Sequence, residues 1–363
     1  MKRQKVPTST WVTWAFILIF VLLIKWFSVD KERVEIFYTE GFYPHISKVL
    51  RAIFGWIPFS VGDILYILAA GWLLYKLFKN IKLLFARGAN KSIFFSKLID
   101  SFFIIFIVYL TFNIFWGLNY NRLGITYQLG LSNQPYDTSD IKLIEKLLLQ
   151  KVNFSKTTLL KSHSVYPENE ELFKRAEASY EEASKKYPFL KSKYPSVKSS
   201  MYGWLGNYLG FTGYYNPFTG EAQVNTAVPK FLQPYITTHE MGHQIGYAKE
   251  DEASFAGYLA SVNSGDTLFL YSTYIDLFMY ANREIYFFDS VSAKKSYDLL
   301  MRSVKNDIEE WRRFVGAHQT FIEPGITWMY GNFLKLNEQP KGMRSYNAVI
   351  SMLIAYYKKY GTI

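Results

Sequence analysis

The sequence contains no cysteine in its 363 residues. Disulfide bonds are therefore excluded, and so is any metal site built from thiolates. Histidine is also scarce, with five copies. The chain has no internal repeat and no low-complexity tract, and its length is sufficient for two domains.

Charge is nearly absent from three long apolar runs within the first 120 residues. They cover about residues 9–29, 59–78 and 98–118, and each has close to the roughly 20 residues that cross a bilayer as a helix. Buried helices of a soluble domain would be the alternative. Aromatic residues at the ends of the runs, such as Trp11, Trp26 and Trp116, favour membrane spans instead.

A cleavage site is missing after the first apolar run. Lys2, Arg3 and Lys5 precede it, as in a signal peptide, but no small-x-small sequence follows it. We therefore interpret this run as a retained anchor.

Acidic residues are missing from the end of the second run to Asp100, a stretch that contains six basic residues from Lys76 to Lys97. The positive-inside rule places this loop and the N-terminus in the cytoplasm of a bacterial cell. Three crossings then put residues 122–363 on the periplasmic or outer face of the plasma membrane. The formal net charge of +11 is explained at least partly by this topology, so we do not expect nucleic-acid binding.

His239-Glu240-Met241-Gly242-His243 carries the HExxH pattern of zinc-dependent peptidases. Residues four apart share one face of a helix, so both imidazoles can reach one Zn²⁺ ion. Glu240 can then reach a water on that ion and act as the general base. A chance match is the alternative, but the uncharged flanking residues suit a helix.

A catalytic zinc needs a third protein ligand. The metzincin position for a third histidine is occupied by Lys249, which excludes that class. Glu252, in Asp251-Glu252-Ala253, resembles the metal glutamate of the gluzincins, although the connection from His243 is short. Glu250 is the alternative ligand, and Asp251 is a candidate partner for a ligand histidine. Ordinary acidic charge at a helix N-terminus would explain the trio without a metal.

The domain after the membrane runs is expected to be mainly helical. Predicted helices cover residues 139–152, 168–186, 229–247, 250–262, 267–288, 293–314 and 345–360. A β-hairpin is predicted from residues 211–215 and 221–225, joined by the turn at residues 216–220. The fold class is therefore a three-span helical anchor (1–121) followed by a helical α+β zincin-like domain (122–363) with a small hairpin before the metal helix.

The strand at residues 220–225 is a candidate edge for pairing with an extended peptide. A purely structural hairpin is the alternative. Candidate substrate-binding residues are Tyr215, Glu221, Asn225, His318 and Tyr346. Donors to an oxyanion remain open among Tyr214, Tyr215, His318, Tyr330, Arg344 and Tyr346.

Several segments together resemble a known family. They are residues 58–63 (PFSVGD), 116–122 (WGLNYNR), 213–217 (GYYNP), the HExxH motif and residues 251–253. This combination is similar to an uncharacterised bacterial family with a domain of unknown function, in which three membrane spans precede a metallopeptidase-like domain. The resemblance implies that topology and metal class but no substrate.

Taken together, the sequence predicts a membrane-anchored zinc peptidase acting on peptides or proteins of the cell envelope, in contact with the lipid bilayer. The alternative is a non-catalytic membrane protein with a structural or sensing zinc site. Cleavage of cell-wall peptides would use the same chemistry. An intramembrane protease is disfavoured because charged residues such as Lys230 and Lys249 surround the motif.

Overall fold

The computed structural model of the chain describes residues 8–85, 91–131, 135–345 and 347–363. It is mostly helical with one small sheet, as predicted. The helices are α1 (Thr8–Val29), α2 (Lys31–Arg33), α3 (Tyr43–Phe54), α4 (Val61–Phe85), α5 (Lys91–Phe115), α6 (Ile125–Gln128), α7 (Thr138–Lys161), α8 (Asn169–Lys186), α9 (Gly203–Leu209), α10 (Gln233–Gln244), α11 (Glu250–Asn263), α12 (Thr267–Phe288), α13 (Ser290–Asp298), α14 (Arg302–His318), α15 (Glu323–Leu336) and α16 (Ala348–Tyr360). The strands are β1 (Val197–Ser199), β2 (Gly213–Asn216) and β3 (Glu221–Val224), and a π-helical segment covers Val34–Phe42.

Two segments among the described residues are long and apolar enough to cross a membrane. They are Val12–Val29 in α1 and Val61–Lys82 in α4, and only 11% of each is buried. Their apolar side chains therefore lie on the outside of the molecule. The third predicted span corresponds to α5, whose apolar part, Ile99–Phe115, is shorter. Lys2, Arg3, Lys5 and Arg87, which carry part of the charge asymmetry, lie outside the described residues.

The sheet has the strand order β1-β3-β2. β2 and β3 form the predicted antiparallel hairpin, with Gly213 opposite Val224. β1, which the sequence did not reveal, pairs in parallel with β3. The prediction that β3 has an open edge is therefore wrong, because β3 has a neighbour on each side. The outer strands of the described sheet are β1 and β2, and each has one edge without a strand neighbour.

The N-terminus of α4 is attached to this sheet by buried polar groups. The Glu221 carboxylate accepts hydrogen bonds from the backbone N–H groups of Val61 (3.2 Å) and Gly62 (2.6 Å). It also forms a buried ion pair with Lys198 at 2.5 Å. An acidic group suits this position because the N–H groups at a helix start have no partners within the helix. The second apolar helix is therefore held to the strands by β3.

The main hydrophobic core surrounds α10, α11 and α12. α12 has the bounds that the sequence predicts, and the Asp266 side chain caps its start by accepting from Leu268 N at 2.9 Å. The single helix predicted over residues 293–314 is wrong: the chain forms α13 and α14 instead. The break lies where Leu300 turns into the core and is 4% exposed.

Candidate metal centre

The HExxH motif lies on α10, between the sheet and α11. Pro234 occupies its first turn, where a missing N–H costs no hydrogen bond. The helix is followed by Gly246, whose φ of +99° is strained for any residue with a side chain. The imidazoles of His239 and His243 lie on one face, with ring centroids 4.8 Å apart. The predicted geometry of the histidine pair is present.

Glu250, the first residue of α11, lies against both imidazoles. Its Oε2 atom is 3.3 Å from His239 Nε2 and 3.4 Å from His243 Nε2. Ligand atoms at about 2 Å from a tetrahedral zinc ion are separated by about 3.3 Å, so these distances fit such an ion. One ligand atom from each residue lies within 4.8 Å of the others, and all three side chains are mostly shielded from solvent. These three residues can hold a metal ion.

Glu252, the ligand preferred from the sequence, does not join this group. Its Oε1 atom lies 3.8 Å from Lys249 Nζ and against the backbone of Gly124, where an added Cβ would come within 1.9 Å. Two residues along a helix are about 200° apart, so Glu250 and Glu252 cannot both face α10. The structure corrects the ligand choice to the alternative, Glu250.

Each imidazole is oriented by a bond at its other ring nitrogen. His239 Nδ1 is 3.1 Å from Ser254 Oγ, and His243 Nδ1 is 2.7 Å from the Tyr247 carbonyl. Such partners keep Nε2 directed at a metal position. Asp251 does not hold either ring, so the sequence-based suggestion of that role is wrong.

Tyr330 on α15 reaches the opposite side of Glu250. Its hydroxyl donates to Glu250 Oε1 at 2.6 Å. The Glu250 backbone N–H donates to Gln339 Oε1 at 3.1 Å. These bonds fix the carboxylate so that Oε2 faces the imidazoles. Of the oxyanion donors that the sequence left open, Tyr330 is one that the structure places in contact with the site.

Glu240 is buried beside β2. A Cβ added at Gly213 would lie 2.5 Å from Glu240 Oε1, so only glycine leaves room for the carboxylate there. Glu240 Oε2 has no hydrogen-bond partner among the described residues. Burial raises the pKa of Glu240 to about 8. A buried carboxyl oxygen without a partner fits a site that receives a further polar group.

Charge at the site is balanced between the histidines and Glu250. Burial alone would lower the pKa of His243, but the Glu250 carboxylate outweighs it and raises that pKa to about 9. Burial would raise the pKa of Glu250, but the two imidazoles hold it well below its usual range. Burial lowers the pKa of His239. Glu250 is therefore negatively charged at neutral pH and attracts a positive charge. When no metal is bound, that charge is carried by protonated His243.

Four side chains from residues 43–122 close the C-terminal end of α10. They donate to carbonyl groups that a helix end leaves without partners. No local sequence pattern predicts these contacts, because each joins residues more than a hundred positions apart. The bonds run from Trp116 Nε1 to His243 O (3.1 Å), from the Tyr43 hydroxyl (2.8 Å) and Arg51 Nη1 (3.1 Å) to Gln244 O, and from Arg122 Nη1 to Gly246 O (3.1 Å). Residues on both sides of the predicted domain boundary at 121/122 thus donate hydrogen bonds to carbonyl groups at and just after the end of α10.

Two of the predicted substrate-binding residues lie in the interior of the protein. Glu221 and Asn225 are fully buried, and the Asn225 side chain bonds Asn207 and the backbone of Phe211 and Ala227. Neither can contact a substrate, so those two predictions are wrong.

Two further predicted substrate contacts bond or pack against other groups of the protein, and a third is not described. The Tyr215 hydroxyl is buried and lies 3.3 Å from the Tyr43 hydroxyl, so the Tyr215 side chain is packed in the core. His318 bonds its own helix at Phe314 O and contacts the Tyr208 ring. Tyr346 lies outside the described residues.

Comparison with known proteins places the chain in a family. The model of the family described as a protein of unknown function, DUF3810, matches residues 38–354. The chain belongs to this family. The DUF3810 match begins in the π-helical segment and runs through the metal helix to α16, so it covers both sides of position 122. No curated protein and no solved structure matches the chain.

Proposed function

We propose that the protein is a membrane-anchored zinc peptidase with its active site outside the cytoplasm. One observation carries the proposal: the Nε2 atoms of His239 and His243 lie within 3.4 Å of the Glu250 carboxylate, on a helix that also carries Glu240. This donor set, two imidazoles and one carboxylate, is that of catalytic zinc sites.

The residues divide the chemistry between them. A bound zinc ion polarises the scissile carbonyl and lowers the pKa of water. His239, His243 and Glu250 hold the ion, and Ser254 and the Tyr247 carbonyl keep the rings in place. Glu240 accepts a proton from the attacking water and returns it to the leaving amine. A pKa of about 8 suits a group that gains and loses a proton near neutral pH.

The open edge of β2 provides a place for an extended peptide. Asn225 N donates to Thr212 O, so by alternation the peptide groups of Gly213 and Tyr215 point away from β3. Gly213 lies beside Glu240. A peptide added to this edge would bring a backbone carbonyl close to the general base.

We also propose that α1, α4 and α5 cross the bilayer, with the N-terminus in the cytoplasm. Two of these helices carry apolar segments of spanning length, and the basic loop between the second and third supports the orientation. The C-terminal end of α5 and the N-terminal end of α4 both contact the rest of the molecule. In the proposed topology both ends lie on the outer side of the bilayer, which agrees with these contacts.

A structural or sensing zinc site in the cell envelope is the second candidate. A structural site is closed by four protein ligands, whereas a catalytic site leaves one position to water. Among the described residues, three side chains form the group. This open arrangement favours the peptidase.

The decisive experiment compares wild-type protein with Glu240→Gln, both full length, zinc-loaded and in nanodiscs. The substrate is a library containing both unstructured peptides and cell-wall peptides. We expect kcat/KM to fall by roughly 10²–10⁴-fold because the proton acceptor is lost, while the zinc content stays the same. Equal cleavage by both proteins would refute the mechanism, and no cleavage by either would favour the structural zinc site.

Two matched variants, at positions 250 and 252, test which glutamate is the third zinc ligand. Glu250→Gln should lose zinc during dialysis against a weak chelator, because one of three ligands is removed. Glu252→Gln should keep it, because Glu252 faces Gly124 and Lys249. Zinc per chain is measured by atomic emission. Retention by Glu250→Gln with loss by Glu252→Gln would reverse the assignment.

A further inference from the structure

Two helices beside the candidate site expose large apolar side chains to the outside. On α9, Trp204 is 65% exposed, and on α15 Trp328 and Leu336 are 73% and 83% exposed. α9 contains no charged residue, and α15 has only Glu323 in its first turn and Lys335 in its last turn. A continuous apolar surface of this kind is unusual on a soluble protein and marks an interaction site.

The start of α9 is attached to the start of α4. The Met201 N–H donates to Asp63 Oδ2 at 2.6 Å, and the Tyr202 hydroxyl donates to the Asp63 carbonyl. Asp63 lies in the first turn of α4, where the apolar segment Val61–Lys82 begins. α9 therefore begins at the level where α4 enters the membrane.

α15 is attached to the end of α5. The Phe333 ring lies 6.4 Å from that of Phe112, in the last turn of α5, and 6.5 Å from that of Tyr120. α15 also packs against α9. α9 and α15 therefore lie next to each other, beside the N-terminal end of α4 and the C-terminal end of α5. These two ends lie on the same side of the bilayer in the proposed topology.

Both helices also lead to the candidate site. Four residues after α9 ends, the chain reaches Gly213, which lies against Glu240. From α15, Tyr330 bonds Glu250 at 2.6 Å. The elements that carry the apolar surface are therefore directly connected to the groups of the candidate site, through Gly213 and Tyr330.

We propose that α9 and α15 insert their exposed apolar side chains into the outer leaflet of the bilayer, so that the candidate site opens at the membrane surface. The occupant of this surface is lipid, because the surface continues from the ends of two apolar helices. Lys335, in the last turn of α15, can extend its ammonium group to the headgroups. The inference rests on the membrane topology proposed above, but not on catalysis.

The absence of cysteine allows a direct test by site-directed spin labelling. Single cysteines replace Trp328, Trp204, Leu68 or Val165 in the full-length protein, in nanodiscs of phosphatidylethanolamine and phosphatidylglycerol. Leu68 is 62% exposed within the apolar segment of α4 and reports lipid, and Val165 is 80% exposed after α7 and reports water. Power-saturation spectra measure collisions of each label with oxygen and with a water-soluble nickel complex. Zinc content and thermal unfolding confirm that each variant is folded.

Labels at 204 and 328 should resemble the label at 68. Their ratio of oxygen to nickel collisions should exceed that of the label at 165 by on the order of tenfold, because hydrocarbon excludes the polar complex. Ratios like that at 165 would overturn the inference. Shielding from both reagents would also overturn it, in favour of a second protein on this surface. A water-like ratio at 68 would refute the topology itself, so the two failures are distinguishable.

Discussion

The two ends of the metal helix are held by different parts of the chain. In its N-terminal half, the Tyr180 hydroxyl donates to Thr238 O at 2.7 Å, and the Tyr235 hydroxyl donates to Ser254 O at 2.8 Å. Those contacts lie within the helical domain. At its end, Trp116 and Tyr43 supply bonds from the apolar-helix region. The difference shows that residues of the apolar-helix region help to position the candidate site and that α10 bridges the two regions.

The most severe way to break this arrangement is to remove the anchor. A fragment of residues 122–363 lacks Tyr43, Arg51 and Trp116, so three donors to the end of α10 are gone. We expect zinc affinity to fall by on the order of 100-fold, together with the loss of cooperative unfolding. Zinc titration with a competing chelator measures the affinity. Co-expression with residues 1–121 should restore binding, and full affinity in the isolated fragment would contradict the bridge.

The next largest effect is expected at the buried pair between Arg122 and Glu35. Their side chains are each 4% exposed, with Nη2 and Oε1 at 2.8 Å. Arg122→Met leaves the carboxylate buried without its cation and should lower the free energy of unfolding by about 3–5 kcal/mol. The double variant with Glu35→Gln should recover part of this loss. Denaturant unfolding of the wild type, the two single variants and the double variant gives the coupling free energy between Arg122 and Glu35. Strictly additive losses would show that the two side chains are not coupled.

A milder comparison removes one hydrogen-bond donor from each half of α10. Trp116→Phe deletes the donor to His243 O, and Tyr180→Phe deletes the donor to Thr238 O. Each leaves a buried carbonyl without that partner and should cost about 1–3 kcal/mol. Unfolding measurements on both variants test whether the two ends contribute similarly. A negligible cost for Trp116→Phe alone would limit the structural role of the anchor.

The smallest effect is expected from pH, at the start of α10. Burial raises the pKa of Asp276 to about 7, and its charge acts on Tyr235 in the first turn of α10. Because the folded pKa exceeds 3.8, folding is penalised increasingly as pH rises, up to about pH 7. Asp276→Asn should therefore stabilise the protein by about 1–2 kcal/mol more at pH 8.5 than at pH 5, since the side chain keeps some solvent contact. Equal melting-temperature shifts at both pH values would contradict this origin.

Local patterns in the sequence were sufficient for much of the fold. α12 was predicted with its bounds because an apolar period follows a capping aspartate, Asp266. The hairpin followed from the turn residues Asn216, Pro217 and Gly220, which favour chain reversal. α15 was missed because its apolar side chains face outwards, which removes the one-sided pattern that identifies a helix packed on a core.

The site was only partly predictable, for geometric reasons. The spacing of His239 and His243 determines their common face on any helix. The choice between Glu250 and Glu252 depends on how α11 is rotated toward α10, which the spacing does not reveal. The contacts of Trp116 and Arg122 join residues far apart in the chain, so no local pattern shows them.

The cap on α4 also has a consequence for biosynthesis. Glu221, which accepts the N–H groups of Val61 and Gly62, follows them by about 160 residues. The ribosome therefore produces this helix long before its cap exists, and the bonds can form only after β3 has been synthesised. Until then, the two N–H groups lack their Glu221 partner. Attachment of α4 to the sheet is thus completed late, after most of the polypeptide has emerged.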